Sequence, residues 1–144
     1  MTNVVVSVTG TQRDEIGDEQ RIEFITTGRY YRKNNYDYFT YSESELAGME
    51  GTTTLLKVRE STIVLVRMGN IDQRQEFRQG EYTVSTYITP YGVMELGVTT
   101  SDVSVDLIAG SGKINIAYDL EIDGKWQSFN SLAIHIWEDK KNGH

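Results

Sequence analysis

The chain has 144 residues, one proline, no cysteine and a formal net charge of −7. That length is enough for one domain with its own core, and the missing cysteines exclude a disulfide framework, Cys-type zinc sites and thiol chemistry. The acidic balance opposes the sequence-independent phosphate attraction of nucleic-acid proteins; residues 1–80 nevertheless hold 10 of the 14 Lys and Arg, so any anion-binding surface is expected there.

The first residues carry neither a basic n-region nor an apolar core of signal-peptide length. No apolar run reaches transmembrane length, and a soluble cytoplasmic protein is expected. From there on, threonine, tyrosine, valine and isoleucine recur at period two with glycine or Asn/Asp punctuation, which predicts β-strands throughout. A first strand is predicted over residues 3–9, then an acidic loop over 14–19. A long second strand covers 21–32, with Gly28 inside it as a candidate bulge or bend. After a turn at Lys33-Asn34-Asn35 comes a third strand over 36–43. The connection 44–51 has room for one helical turn at Ser44-Glu45-Leu46. Residues 52–59 and 61–68 form the next pair, and Gly69-Asn70 turns into 73–78.

Residues 81–100 then read as a long hairpin around Thr89-Pro90-Tyr91-Gly92. Proline at the second turn position presets φ, glycine at the fourth is its usual partner, and Thr89 is pushed to an extended conformation. Pro90 and Gly92 are therefore assigned to turn geometry, with no chemistry. Alternation continues over 99–109, turns at Gly110-Ser111-Gly112, and resumes over 113–122, where Ile114, Ile116, Tyr118, Leu120 and Ile122 share one face. Asp123-Gly124 is a hairpin signal, and 126–137 is the last strand. Residues 1–137 form the expected single domain, and 138–144 a charged tail that frays.

About ten strands with hairpin-length connections and no sustained helical period predict an all-β, antiparallel barrel of about eight to ten strands. The motifs Gly28-x-Tyr30-Tyr31, Tyr41-x-Glu43, Thr54-x-x-Lys57, Arg67-x-Gly69, Glu76-Phe77, Tyr87-x-Thr89-Pro90-Tyr91-Gly92 and Tyr118-x-Leu120 occur in an order and spacing that resembles the YwiB-like family of small bacterial proteins. The resemblance implies a lipocalin-like (calycin-type) barrel and brings no reaction, ligand or catalytic residue with it. The Gly-x-Trp signature and disulfide of secreted lipocalins are missing, so a lipocalin's carrier role is not implied.

Three charges fall in phase with apolar neighbours: Glu43 with Phe39 and Tyr41, Lys57 with Leu55, and Arg67 with Ile63 and Leu65. Such a phase directs a charge to the core, where it must be paired or hydrogen-bonded. One reading is a cationic pair, Arg67 and Lys57, holding an anionic ligand in a barrel mouth with Glu43 orienting them. The other is a structural ion-pair network, or side chains snorkelling to water. For Lys57, Leu56 and Val58 offer the opposite face. Of the nine tyrosines, Tyr41, Tyr87 and Tyr118 are the lining candidates, the rest fitting barrel ends and outer faces.

Arg29-Tyr30-Tyr31-Arg32-Lys33 interleaves bases and aromatics as single-strand binders do, but it reads as an exposed strand end. His135 lies out of phase with Leu132, Ile134 and Ile136, and His144 is the last residue. Glu43 and Glu76 are the acid–base candidates an enzyme would use, with no spacing that demands it. Gly110-Ser111-Gly112-Lys113 lacks Walker spacing and a following helix. The expectation is a non-enzymatic small-molecule barrel without cofactor or metal, without nucleic-acid or membrane partner, as monomer or homodimer. The alternative is a structural or protein-interaction module with a filled barrel.

Overall fold

A computed structural model describes residues 1–43 and 49–140. The helical turn considered at Ser44-Glu45-Leu46 and the last four residues of the tail lie outside the described residues. Ten antiparallel strands form one continuous sheet: β1 (Thr2–Arg13), β2 (Glu19–Lys33), β3 (Tyr36–Ser42), β4 (Thr52–Arg59), β5 (Thr62–Gly69), β6 (Gln73–Arg78), β7 (Tyr82–Thr89), β8 (Gly92–Ile108), β9 (Ser111–Ile122) and β10 (Lys125–Glu138). Their spatial order is β6-β5-β4-β3-β2-β1-β10-β9-β8-β7. All neighbours but β1 and β10 are consecutive in the chain, so the sheet is a meander that curls into a nearly closed, all-β barrel.

Several boundaries run past the predicted ones. β1 continues to Arg13 because it pairs along its whole length, with β2 on one side and β10 on the other. The last strand reaches Glu138, and the Asp139 amide donates to the Asn3 carbonyl at 2.9 Å, so the tail begins later than residue 138. β8 is one strand of 17 residues, with Ser101 bulged out between Thr100 and Asp102. The β8–β9 turn sits at Ala109-Gly110, one residue ahead of the predicted triplet, with both residues at positive φ as a two-residue hairpin requires.

Gly28 makes no bulge: its pairing with Val4 and Tyr41 is in register on both sides. A Cβ at this position would lie 2.3 Å from the Thr40 carbonyl oxygen, so the glycine serves close approach of β3's backbone. The corner at Thr89-Pro90-Tyr91-Gly92 is a two-residue turn, with Thr89 opposite Gly92 and the Thr89 hydroxyl accepting from the Tyr91 amide at 3.1 Å.

The barrel closes imperfectly between β6 and β7. Instead of a ladder there is an isolated bridge, Asp72 to Ile88, with two hydrogen bonds of 2.9 Å, and at the connecting turn the Glu81 amide donates to the Arg78 carbonyl at 3.0 Å. Side chains carry the rest of this seam. Along the inner face, the half of the barrel near the chain ends is packed solid by Val4, Val6, Phe39, Leu56, Val58, Ile63, Ile114 and Ile136, each essentially inaccessible. The half near the β3–β4, β5–β6 and β7–β8 connections is not. The apolar filling stops there, and inward-pointing polar side chains begin.

Candidate functional site

Alternation brings Glu43 and Arg67 to this open half for the reason the sequence supplies: both are in phase with core residues of their strands. Glu43 follows β3, and its amide donates to the Thr52 carbonyl at 2.9 Å. Its carboxylate accepts a short hydrogen bond from the Thr54 hydroxyl on β4. Arg67, near the end of β5, sets Nε 3.6 Å from the same Glu43 Oε2, while its Nη1 donates to Gln73 Oε1 at 2.7 Å. The two charged side chains are 16% and 5% exposed, so the pair is largely removed from water.

From Gln73 the network continues across the seam. Gln73 Nε2 donates to the Ser85 hydroxyl at 3.1 Å, Ser85 donates to Gln75 Oε1 at 2.7 Å, and Gln75 Nε2 donates to the Thr83 hydroxyl at 2.9 Å. Thr83 in turn donates to the Glu76 carbonyl at 2.6 Å. Four consecutive strands, β4 to β7, are thereby connected through side chains from Thr54 to Thr83, by way of Glu43 just past the end of β3. Sequence reasoning passed over Gln73, Gln75 and Ser85. The signal was present, since Gln73 and Gln75 alternate in phase with the buried Phe77.

Two adjoining cavities occupy the open half, of about 240 and 250 Å³. Arg67, Tyr118, Leu65 and Asn130 line both. The first cavity continues over apolar walls from Phe24, Leu56, Ile116 and Ile134, with Tyr41 and Glu43 at its side. The second runs past Phe77 and Leu96 to Tyr87. Tyr41, Tyr87 and Tyr118 therefore all face the lumen. Burial pushes the Tyr41 hydroxyl's pKa well above the ordinary value, the nearby Glu43 carboxylate adds to that, and Arg67 opposes it. Burial likewise raises Tyr118, against the pull of Arg67. Both phenols are thus held neutral as hydrogen-bonding groups of the lumen.

Lys57 is not part of this constellation. Leu56 and Val58 take the inner face, and Lys57 points outward, its Nζ 4.3 Å from the centre of the Tyr36 ring and 5.9 Å from that of Tyr38. A strand with apolar residues on both phases is decided by its neighbours, and the barrel interior takes the phase holding Thr52 and Thr54. Glu43 and Glu76 cannot work as an acid–base pair, because Glu76 is on the outer face between Arg74 and Arg78. His135 is also outside, its ring 5.0 Å from Trp137. No grouping of His, Asp or Glu among the described residues has metal-site geometry. Pro90 and Gly92 are exposed and belong to neither cavity's lining. Among the described residues no helix is long and apolar enough to cross a membrane.

The chain is 32% identical over 133 residues to the uncharacterised β-barrel protein YwiB of Bacillus subtilis (strain 168), covering 92% of each sequence. Its fold matches the crystal structure of the ywiB protein from Bacillus subtilis with a TM-score of 0.75 and 27% identity, over 93% of this chain and 91% of that one. The model of a domain of unknown function, DUF1934, matches residues 6–134. With the barrel, the motif series and these matches in agreement, the chain belongs to the DUF1934 family of YwiB-like β-barrels.

Proposed function

We propose that the protein binds a small amphipathic molecule in the open half of the barrel, its anionic head at Arg67 and its apolar body against Leu56, Leu65 and Ile116. One observation carries this reading: Arg67 Nε is buried without a hydrogen-bond acceptor among the described residues. Glu43 neutralises the guanidinium at a distance, but its nearer oxygen is engaged by Thr54. Leaving a buried donor unpaired costs roughly 1–3 kcal/mol, more on a charged group. A carboxylate or phosphate oxygen is the acceptor that a guanidinium takes best. The phenols of Tyr41 and Tyr118, kept protonated, supply neutral donors for the same head.

A second reading has an observation of its own: the chain from Glu43 through Arg67 and Gln73 to Ser85 crosses the seam, which fits an ion pair that holds the barrel shut. The two readings separate experimentally. Arg67→Met alone leaves Glu43 buried without its partner and should cost about 3–5 kcal/mol of stability in either case. The double variant Arg67→Met/Glu43→Gln removes both charges, keeps an acceptor for Thr54, and should recover most of that loss in a denaturant titration. Binding is then measured on the double variant, by native mass spectrometry for a co-purified molecule and by calorimetry with naphthoate. We expect wild type to bind and the double variant to bind about tenfold or more weakly, the worth of one charge-assisted hydrogen bond. Equal naphthoate binding by both proteins, or no uptake by wild type, leaves the structural reading in place.

A further inference from the structure

The outer face of β2 to β6 gathers cations that the composition hides. At its outermost row, Lys33 stands opposite Tyr36, Arg59 has its guanidinium carbon 5.2 Å from the Tyr36 ring, and Arg78 follows across β5. In the next row Tyr31 stacks on Tyr38 with ring centres 4.7 Å apart and planes 4° from parallel, and Lys57 continues the row on β4. Arg29 and Arg74 flank a third row. Within these three rows six cations share the sheet face with one strand carboxylate, Glu76, which lies between Arg78 at 2.9 Å and Arg74 at 3.9 Å; Glu19 and Glu23 of β2 are on the same face beyond the rows. The molecule as a whole carries −7, so the face is a local inversion of the protein's charge.

We propose that this face binds single-stranded nucleic acid, its phosphates on the arginines and lysines and its bases on the tyrosine rings. Cations alone would suit any polyanion. The tyrosines decide the class: a parallel Tyr31–Tyr38 stack continues naturally into a base stack, and base–aromatic stacking on an open sheet is how single strands are held without sequence preference. An acidic polypeptide offers charge but no rings to stack. Duplex nucleic acid presents its bases already stacked and gains nothing from the tyrosines. The acidic remainder of the molecule confines such a strand to this face and makes binding sharply salt-dependent. None of the residues invoked lines the lumen, so this inference is independent of the small-molecule reading.

The test is fluorescence anisotropy with a labelled oligouridine of about twelve nucleotides, a length within the usual footprint of single-strand binders. Contacts to about four phosphates predict that affinity falls about 50-fold between about 50 and 200 mM salt. Lys33→Gln/Arg59→Gln should lower the log–log salt slope by about 1.4. Tyr31→Leu should weaken binding about tenfold while leaving the slope unchanged. Lys33 and Arg59 are exposed and Tyr31 is half-buried on the outer face, outside the core, and an unchanged melting curve shows that the barrel persists. No binding at the lower salt overturns the proposal, as does indifference to Tyr31→Leu. Equal competition by polyglutamate overturns it too, and makes an acidic polypeptide the occupant.

Discussion

Gly28 and Gly92 are both strand glycines, and they are glycine for unlike reasons. At Gly28 the dihedrals are ordinary and space is absent, the Thr40 carbonyl standing 2.3 Å from where a Cβ would be. At Gly92 space is open and φ is +148°, where side chains are strained. Gly92→Val should therefore cost about 1 kcal/mol of backbone strain. Gly28→Ala, which forces β3 off its ladder, should cost more, about 2–3 kcal/mol. Paired denaturant midpoints check this, and a Gly28→Ala protein as stable as wild type would refute the close-approach account. The sequence marks both glycines as special but not how, because a bulge, a turn and a tight backbone contact leave the same letter. Phase was legible to different degrees: Glu43 follows Phe39 and Tyr41 against Thr40 and Ser42, whereas Lys57 and Arg67 both sit in strands with apolar residues on both phases, and only the barrel decides that Arg67 points in and Lys57 out.

Among the elements, the weak one is the β6–β7 seam. Elsewhere each strand is held by a continuous ladder, while here one bridge at Asp72–Ile88 and the glutamine, serine and threonine chain do the joining. Side-chain hydrogen bonds contribute about 1 kcal/mol each and do not protect backbone amides as a ladder does. Seam-facing amides of β6 and β7 should exchange with deuterium faster than those of β1 and β10, a difference readable by NMR. Gln75→Leu, which removes a junction of the chain, should widen it. Uniform exchange around the barrel would contradict an openable seam. The strands themselves were legible from alternation, including their antiparallel sense. The seam was not: Gly80 reads only as the break between the strand 73–78 and the hairpin 81–100, and nothing local reports that the strands either side of it lack a continuous ladder.

For the molecule as a whole, the lumen's tyrosines make stability depend on alkaline pH. Tyr41 and Tyr118 keep their protons in the fold because burial raises both, while in the unfolded chain they ionise near the ordinary tyrosine value of about 10. Below that value the contribution is fully present. Above it the unfolded state binds fewer protons than the folded one, so stability falls with rising pH, by up to about 1.4 kcal/mol per pH unit for each tyrosine. Urea midpoints that drop between about pH 10 and 11, and drop less in Tyr41→Phe, are the expected outcome; a flat series would show that these phenols are reached by water. The barrel's strand order has a different consequence, for how the chain reaches this state. Nine neighbouring pairs make the sheet, and eight of them join strands adjacent in sequence; only β1 with β10, as in Val6 opposite Ile136, joins opposite ends of the polypeptide. Residues 2–78 and 82–138 can each assemble by local closures, so the entropy of long-range search falls on a single docking event between them. Linking the ends beside Thr2 and Glu138 and cutting the chain at Gln79-Gly80 would make every ladder a local hairpin, and the rate of refolding, not the final barrel, is what such a permuted chain would change.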